Sequence, residues 1–451
     1  MNILIEFFNN HSPLLYLTQS LWRDEAFSVL IAQHSVQQII SLTAQDFNPP
    51  LYYLILHFWI KIFGSGEIAI RMLSFIFFLA LVYICCLFAK KLKLSSLTTY
   101  YLLLTTFLNP MLLYYAFEAR MYSLLALLAT ASMYFFFSKN RLGYIISTAL
   151  GLWTQPFMAF IILSQVFYSA LQDFRAYSED ELKQGKRNTW TYFYSSLVIV
   201  FLLFIPWIPV ILFQLTRSGP MWMWPINWTT VTTILGSLFT GYEGTPGGLW
   251  GLMTVFSLII LFFSLLVLRL SVRVKKDHPA EVYRLLLIWL FLPTLLVLTI
   301  SYFKPIYVNR YLIFTTVAEI FIIIVGISLI KNKLFRNLFA IGYLLFVIIF
   351  NFWFPSRHAK LDIRRALTEI NQLAQPKDLI LSQTPLTFFE ANYYTPKPRQ
   401  IWLYNPHQTA VPLYVGASLI TKDKMIYTLP KYPIRAFLIH DDGSYELIFQ
   451  R

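Results

Sequence analysis

Ten apolar runs, most of them close to 20 residues long, leave this chain few ways to fold. They cover 67–89, 96–114, 119–138, 142–153, 155–171, 190–213, 248–269, 282–302, 311–330 and 335–354. About 20 consecutive apolar residues form a helix that crosses the hydrocarbon core of a bilayer. Only 13% of the residues are charged and 57% are hydrophobic, against about 25% charged in soluble domains. Lipid is therefore the solvent for most of the chain. A net charge of +14 would suggest nucleic acid if it formed one face of a soluble domain. Instead the cations gather in alternate short loops: Lys90/Lys91/Lys93, Lys139/Arg141, the 172–189 stretch, the 269–284 stretch and Lys331/Lys333/Arg336. Those loops hold 17 Lys or Arg, against seven on the opposite side before the tail. The positive-inside rule places them in the cytoplasm of a cell membrane. Residues 1–66, the 214–247 loop and everything from Pro355 then face outside.

The two ends of the chain depart from this pattern. Residues 3–22 include Glu6, Asn9, Asn10, His11 and Ser12, too many polar groups for a conventional span. With ten spans and an outer C-terminus the N-terminus is also outside, so a missing or degenerate first helix is expected. No basic n-region marks a cleavable leader, and the adjacent Cys85 and Cys86 read as small membrane-embedded residues. From Pro355 the composition shifts: residues 356–451 carry 12 of the 36 Lys/Arg and 8 of the 22 acids. Leu361–Leu373 has helical spacing, and Asp378–Ser382 and Gln400–Tyr404 read as strands. Ala436–His440 and Tyr445–Phe449 flank Asp441-Asp442-Gly443-Ser444, a hairpin signal. The expected fold is thus a polytopic α-helical membrane protein of ten or eleven transmembrane helices over 1–354, followed by a small soluble α/β domain over 355–451.

The charges on the outer side carry the functional signal. Within the first outer loop, 21–66, Asp24 and Glu25 stand together, and Asp46-Phe47-Asn48-Pro49-Pro50 precedes an amphipathic stretch, Leu51–Phe63. Acids also suit the first turn of a helix electrostatically, which is the bland reading of the pair. Glu118-Ala119-Arg120-Met121-Tyr122 and Lys304…Asn309-Arg310-Tyr311 lie at the outer ends of two spans. An arginine at such a depth is costly unless it binds a carboxylate or phosphate. Arg120 has Glu118 beside it as an ordinary partner. Arg310 has no acid nearby in sequence, which favours an anionic ligand. Trp222, Trp224 and Trp228 suit an interfacial aromatic belt or stacking on a sugar or prenyl chain. Glu319 lies mid-span and is expected to hydrogen-bond to a neighbouring helix.

In order, DEAFS, DFNPPLYYLILHFWIKIFGSGEIAIR, EARMYSLLAL, IPWIP and KPIYVNRYL over about residues 20–330 resemble the GT-C membrane glycosyltransferases. The resemblance is to the bacterial glycosyltransferase family 39-like group, relatives of protein O-mannosyltransferases and of the lipid A aminoarabinose transferase. It implies transfer of a sugar, with inversion, from a polyprenyl-phosphate donor to a hydroxyl on a protein, lipid or glycan acceptor, outside the cytoplasmic membrane. It also implies Asp24 as general base with Glu25 supporting it, Arg310, Arg120 and Lys304 on the donor phosphate, and Asp46, Asn48, Glu118, Tyr122 and Tyr311 at the substrate. Many relatives have His-Pro-Pro where this chain has Asn48-Pro49-Pro50. Asn binds a divalent cation less well than His, which leaves Asp24, Glu25 and Asp46 as the candidate metal ligands. Two other readings share the many spans: a lipid-sugar flippase, which needs broken helices in matched halves, and an O-antigen ligase or polymerase, which lacks the acidic pair in its first outer loop.

Overall fold

The computed structural model describes residues 8, 10–178, 191–217, 222–244, 248–273, 278–396 and 401–450. Much of the basic 172–189 and 269–284 stretches lies outside them. The described part of the segment before the first long helix carries four helices: α1 (Leu14–Thr18), α2 (Arg23–Ala32), α3 (Val36–Gln45) and α4 (Leu51–Phe63). Asp24 and Glu25 fall in the first turn of α2, where their charge opposes the helix dipole favourably. Glu25 also accepts a hydrogen bond from the Trp22 amide at 3.4 Å, satisfying one of the four amides a helix start leaves open. In α3 the cap is reciprocal: Gln38 N–H donates to Ser35 Oγ and Ser35 N–H to Gln38 Oε1, a capping box.

The membrane part follows as α5 (Glu67–Lys91), α6 (Ser96–Phe107), α7 (Pro110–Ala116), α8 (Tyr122–Phe137), α9 (Arg141–Thr154), α10 (Met158–Ser178), α11 (Thr191–Phe204), α12 (Ile208–Thr216), α13 (Trp228–Thr240), α14 (Trp250–Arg273), α15 (His278–Phe303), α16 (Ile313–Ser328) and α17 (Lys333–Trp353). Helices cover most of each of the ten apolar runs. Among the described residues, six segments are long and apolar enough to cross a membrane. The run over 96–114 is not continuous, because Asn109-Pro110 breaks it between α6 and α7. Asn109 caps α7 by accepting from the Leu112 amide at 3.0 Å, and the freed Leu108 carbonyl accepts from Asn351 Nδ2 at 2.6 Å. Breaks at membrane depth survive only when freed backbone groups are satisfied in this way. The 214–247 segment holds α13, a largely buried helix that its flanking tryptophans conceal in sequence. Helix α16 is the central post, with 89% of its apolar window buried inside the protein. Glu319 on it is fully buried, and neither carboxylate oxygen has a hydrogen-bond partner among the described residues, contrary to the expected interhelical bond.

Beyond the membrane part lie α18 (Ile363–Leu373), β1 (Leu379–Ser382), α19 (Pro385–Tyr394), β2 (Ile401–Tyr404), β3 (Met425–Ile426), β4 (Ala436–Ile439) and β5 (Tyr445–Ile448). They form a sheet of order β3-β2-β1-β4-β5, parallel except for the β4–β5 hairpin. Gly443, at φ +82°, turns that hairpin, as the sequence predicts. Helix α19 and strand β3 had no clear sequence signal. Yet α19 docks the domain: Phe389 packs edge-on against Phe27 of α2 at 5.3 Å, and Tyr393 Oη donates to the Ser65 carbonyl at 2.7 Å. Tyr394 Oη accepts from the Leu21 amide at 2.7 Å and donates to Glu67. Arg364 of α18 bonds Glu67 at 2.5 Å. Gly416, at φ +84°, lies so close to Phe27 that an added Cβ would come within 2.6 Å of the ring. The domain therefore sits directly over the helix that carries Asp24.

Candidate active site

A cavity of about 440 Å³ opens where α2, the α7–α8 turn, α12, α15 and the start of α16 meet the soluble domain. Its walls include Asp24, Asp46, Asn48, Arg120, Tyr122, Lys304, Arg310 and Tyr311, together with Arg23 and Arg217. Eight of the ten site residues expected from the sequence thus come together. Glu25 and Glu118 do not reach it.

The acidic pair divides because neighbours on a helix point about 100° apart. Asp24 turns into the cavity. Its Oδ1 accepts from Arg23 Nε at 2.9 Å, and its Oδ2 has a long contact of 3.9 Å with Arg120. Burial acts to raise its pKa, but the Arg23, Arg120 and Arg310 guanidinium groups outweigh it and hold Asp24 well below the usual carboxylate range. Glu25 turns inward and is fully buried. It takes a two-point bond from Arg71, Nε to Oε1 at 2.8 Å and Nη2 to Oε2 at 2.7 Å. It also accepts from the Ala119 amide at 3.0 Å and from Lys360 Nζ at 3.1 Å. Burial works against its ionisation, and Arg71 and Lys360 overcome that. Glu25 anchors the loop.

Glu118 is buried beside this anchor, with Lys360 Nζ 3.6 Å from its Oε2. Burial pushes its pKa up to about 7, against the pull of Lys360. Arg120 does not pair with Glu118. Its Nη1 donates to Ser28 Oγ at 3.2 Å and to the Tyr53 hydroxyl at 3.4 Å, and its charge faces Asp24. Arg310 does find a carboxylate, although none is near it in sequence: its Nη1 lies 3.3 Å from Glu243 Oε2. The rings of Trp22, Tyr122, Trp222 and Tyr311 surround Arg310 at 5.2 to 6.0 Å, within the range of cation–π attraction. Of the three tryptophans noted in the sequence, Trp222 lines the cavity, while Trp224 and Trp228 are exposed. Lys360 and Glu243 escaped sequence reasoning because nothing local distinguishes them.

Asp46 shares the cavity but not Asp24's surroundings. Burial pushes its pKa up to about 6, with Arg120, the Phe47 amide and Asn48 opposing. Two carboxylates with separated proton affinities therefore share one cleft. The metal set named from the sequence comes apart, because Glu25 is committed to Arg71. Among the described residues no three His, Cys, Asp or Glu side chains converge on a common point. Asp24 is moreover ringed by guanidinium groups, so the donors present do not fit a divalent cation.

The lining also has apolar members, Ile211 and Leu215 of α12 and Ile300 of α15, with Ile306. Leu215 is 61% exposed and Ile300 40% exposed. Both lie on helices of the membrane part. The cavity thus combines cationic and apolar side chains in a protein with membrane-length apolar helices. The sequence matches no protein-family model and no curated protein. The fold is nevertheless shared with ArnT from Cupriavidus metallidurans. The apo crystal structure of ArnT superposes with a TM-score of 0.62 at 10% identity, covering 97% of this chain and 91% of that one. The crystal structure of ArnT bound to undecaprenyl phosphate gives 0.58 at the same identity and coverage. The architecture is ArnT-like, a polytopic helical membrane part followed by a small C-terminal sheet domain, as the sequence leads one to expect.

Proposed function

We propose that this protein is a membrane glycosyltransferase that moves a sugar from a polyprenyl-phosphate donor to an acceptor hydroxyl on the outer face of the cell membrane, with inversion. The observation that carries the reading is the cavity itself. Arg23, Arg120, Arg217, Lys304 and Arg310 in its lining outnumber Asp24 and Asp46, and Ile211, Leu215, Ile300 and Ile306 add apolar surface. A phosphate suits the cations and a prenyl chain the apolar side chains. That an ArnT of the same fold binds undecaprenyl phosphate supports the same ligand class here.

The chemistry follows from the charges. The acceptor oxygen attacks the anomeric carbon from the face opposite the phosphate, and the bond from that carbon to the phosphate oxygen breaks. The departing phosphate gains negative charge, which Arg310, Arg120 and Lys304 stabilise without protonating it. Asp24, held ionised, accepts the hydrogen bond of the acceptor hydroxyl and takes its proton as the new bond to the anomeric carbon forms. Asp46 has the higher proton affinity, and the proton passes on to it before leaving the cavity. Because Asp46 is raised to about 6, it accepts a proton only once ionised. The value of kcat/KM is expected to rise as pH increases through about 6 and then level off, since that parameter reports groups of the free enzyme. Asp46→Asn is expected to lower the plateau and remove this limb. A limb that persists in Asp46→Asn rules out the assignment. For the reading as a whole, purified protein in lipid should be offered a panel of undecaprenyl-phosphate-linked sugars. Consumption of one of them, with release of undecaprenyl phosphate, is expected; consumption of none overturns the proposal.

A further inference from the structure

The residue best placed to receive the donor phosphate already holds an anion. Arg310 Nη1 donates to both oxygens of Glu243, at 3.5 and 3.3 Å. These contacts are long beside the usual 2.7–2.9 Å of charge-assisted bonds. Arg310 Nε is buried with no hydrogen-bond partner among the described residues, so the guanidinium has unused donor capacity. Glu243 is one-third exposed. It lines a second cavity of about 480 Å³ with Trp222, Trp224, Tyr242 and Trp250, on the other side of the ion pair. Its backbone is pinned, because Asn309 Nδ2 donates to the Tyr242 carbonyl at 2.7 Å. Its side chain has room to leave. Gly241 at φ +77° and Gly244 at φ +99° flank the Tyr242-Glu243 pair, backbone states that glycine adopts without strain.

We propose that Glu243 is a positioning residue that stands in for the donor phosphate, neutralising Arg310 while the site is empty and yielding it to the phosphate when the donor binds. The inference rests on the glycosyltransferase reading above. An arginine this deeply buried is destabilising without an anion, so the empty site needs a stand-in. Phosphate offers geometry that matches the guanidinium fork better than the two long contacts that Nη1 alone makes to Glu243. The freed carboxylate then moves into the 480 Å³ cavity that it already lines, away from the incoming negative charge. Glu243 therefore competes with the donor and lowers its apparent affinity.

The test uses the full-length protein in detergent and undecaprenyl phosphate as the probe, followed by intrinsic tryptophan fluorescence. Glu243→Gln is expected to bind undecaprenyl phosphate about fivefold more tightly than the wild type, the scale of a weak ion pair. Glu243→Asp, whose shorter side chain retracts from Arg310 while keeping the charge, is expected to shift affinity in the same direction. On an Arg310→Met background the Glu243→Gln effect should vanish, because the cycle isolates that one pair. If Glu243 instead served to aim Arg310 at the phosphate, Glu243→Gln would bind more weakly, and that result or an unchanged affinity overturns the inference. Wild-type protein that is folded yet binds no undecaprenyl phosphate removes the donor assignment itself, and the inference with it.

Discussion

Replacing Asp24 with Asn is expected to reduce sugar transfer by about 10²- to 10⁴-fold, the usual contribution of a positioned proton acceptor, while the protein stays folded. Asn matches Asp in size, and its side-chain oxygen can still accept from Arg23 Nε, which bonds Asp24 at 2.9 Å. What disappears is the negative charge that Arg23, Arg120 and Arg310 hold in place. That charge orients the acceptor hydroxyl and opposes the positive charge that develops at the anomeric carbon. Undecaprenyl phosphate affinity should be unchanged or slightly improved, since an anion near the phosphate site has been removed. Transfer rates and thermal unfolding measured on one preparation separate the outcomes. Wild-type transfer by Asp24→Asn eliminates the mechanism, whereas a collapse in unfolding temperature assigns Asp24 to the scaffold instead.

The next residue should behave in the opposite way. Glu25→Ala is expected to destabilise the protein by about 3–5 kcal/mol, because it strands a buried cation. Both Glu25 and Arg71 are fully buried, and Arg71 has no other carboxylate in an ion pair with it among the described residues. Arg71 also donates to the Leu17, Gln19 and Ser20 carbonyls at 2.9, 2.6 and 3.2 Å. It thereby ties the segment before α2 to the first long membrane helix. Loss of the pair should free the N-terminus of α2 and displace Asp24. The double variant Glu25→Ala/Arg71→Met should recover much of the loss, because neither charge is then left alone and Lys360 retains Glu118. Unfolding temperature in detergent decides this. A single variant as stable as the wild type, or a double variant worse than Glu25→Ala, contradicts the anchoring role.

These contrasting expectations for adjacent residues show where sequence reasoning stopped. As a string, Asp24-Glu25 is one acidic signal, and the two roles were separated only by resemblance, with Glu25 placed in support of catalysis. In the fold, one residue's rotation around α2 sends Asp24 to the cavity and Glu25 to Arg71, 46 positions away. Arg120 is a similar case. Its sequence neighbour Glu118 was the natural partner, but the α7–α8 turn directs Arg120 at Asp24 and leaves Glu118 facing Lys360, from beyond the last membrane helix. Arg310 lacked an acid within reach in sequence, and the chain supplies Glu243 from 67 residues away.

By itself the sequence determined the solvent of each segment, and with it most of the architecture. Apolar runs of bilayer length must be helices, because only a helix satisfies its own backbone in lipid. The Asp441–Ser444 turn marked the hairpin of the soluble domain. Because charged groups are scarce in such a chain, those standing outside the spans or at their ends already include five residues of the cavity wall, Asp24, Asp46, Arg120, Lys304 and Arg310. The tertiary structure alone decided which charge meets which. Pairing depends on helix rotation and on contacts between segments as distant as Glu25 and Lys360, 335 positions apart. Hydrophobic periodicity carries no record of such contacts, because it specifies what a residue is buried in and not what it is buried against.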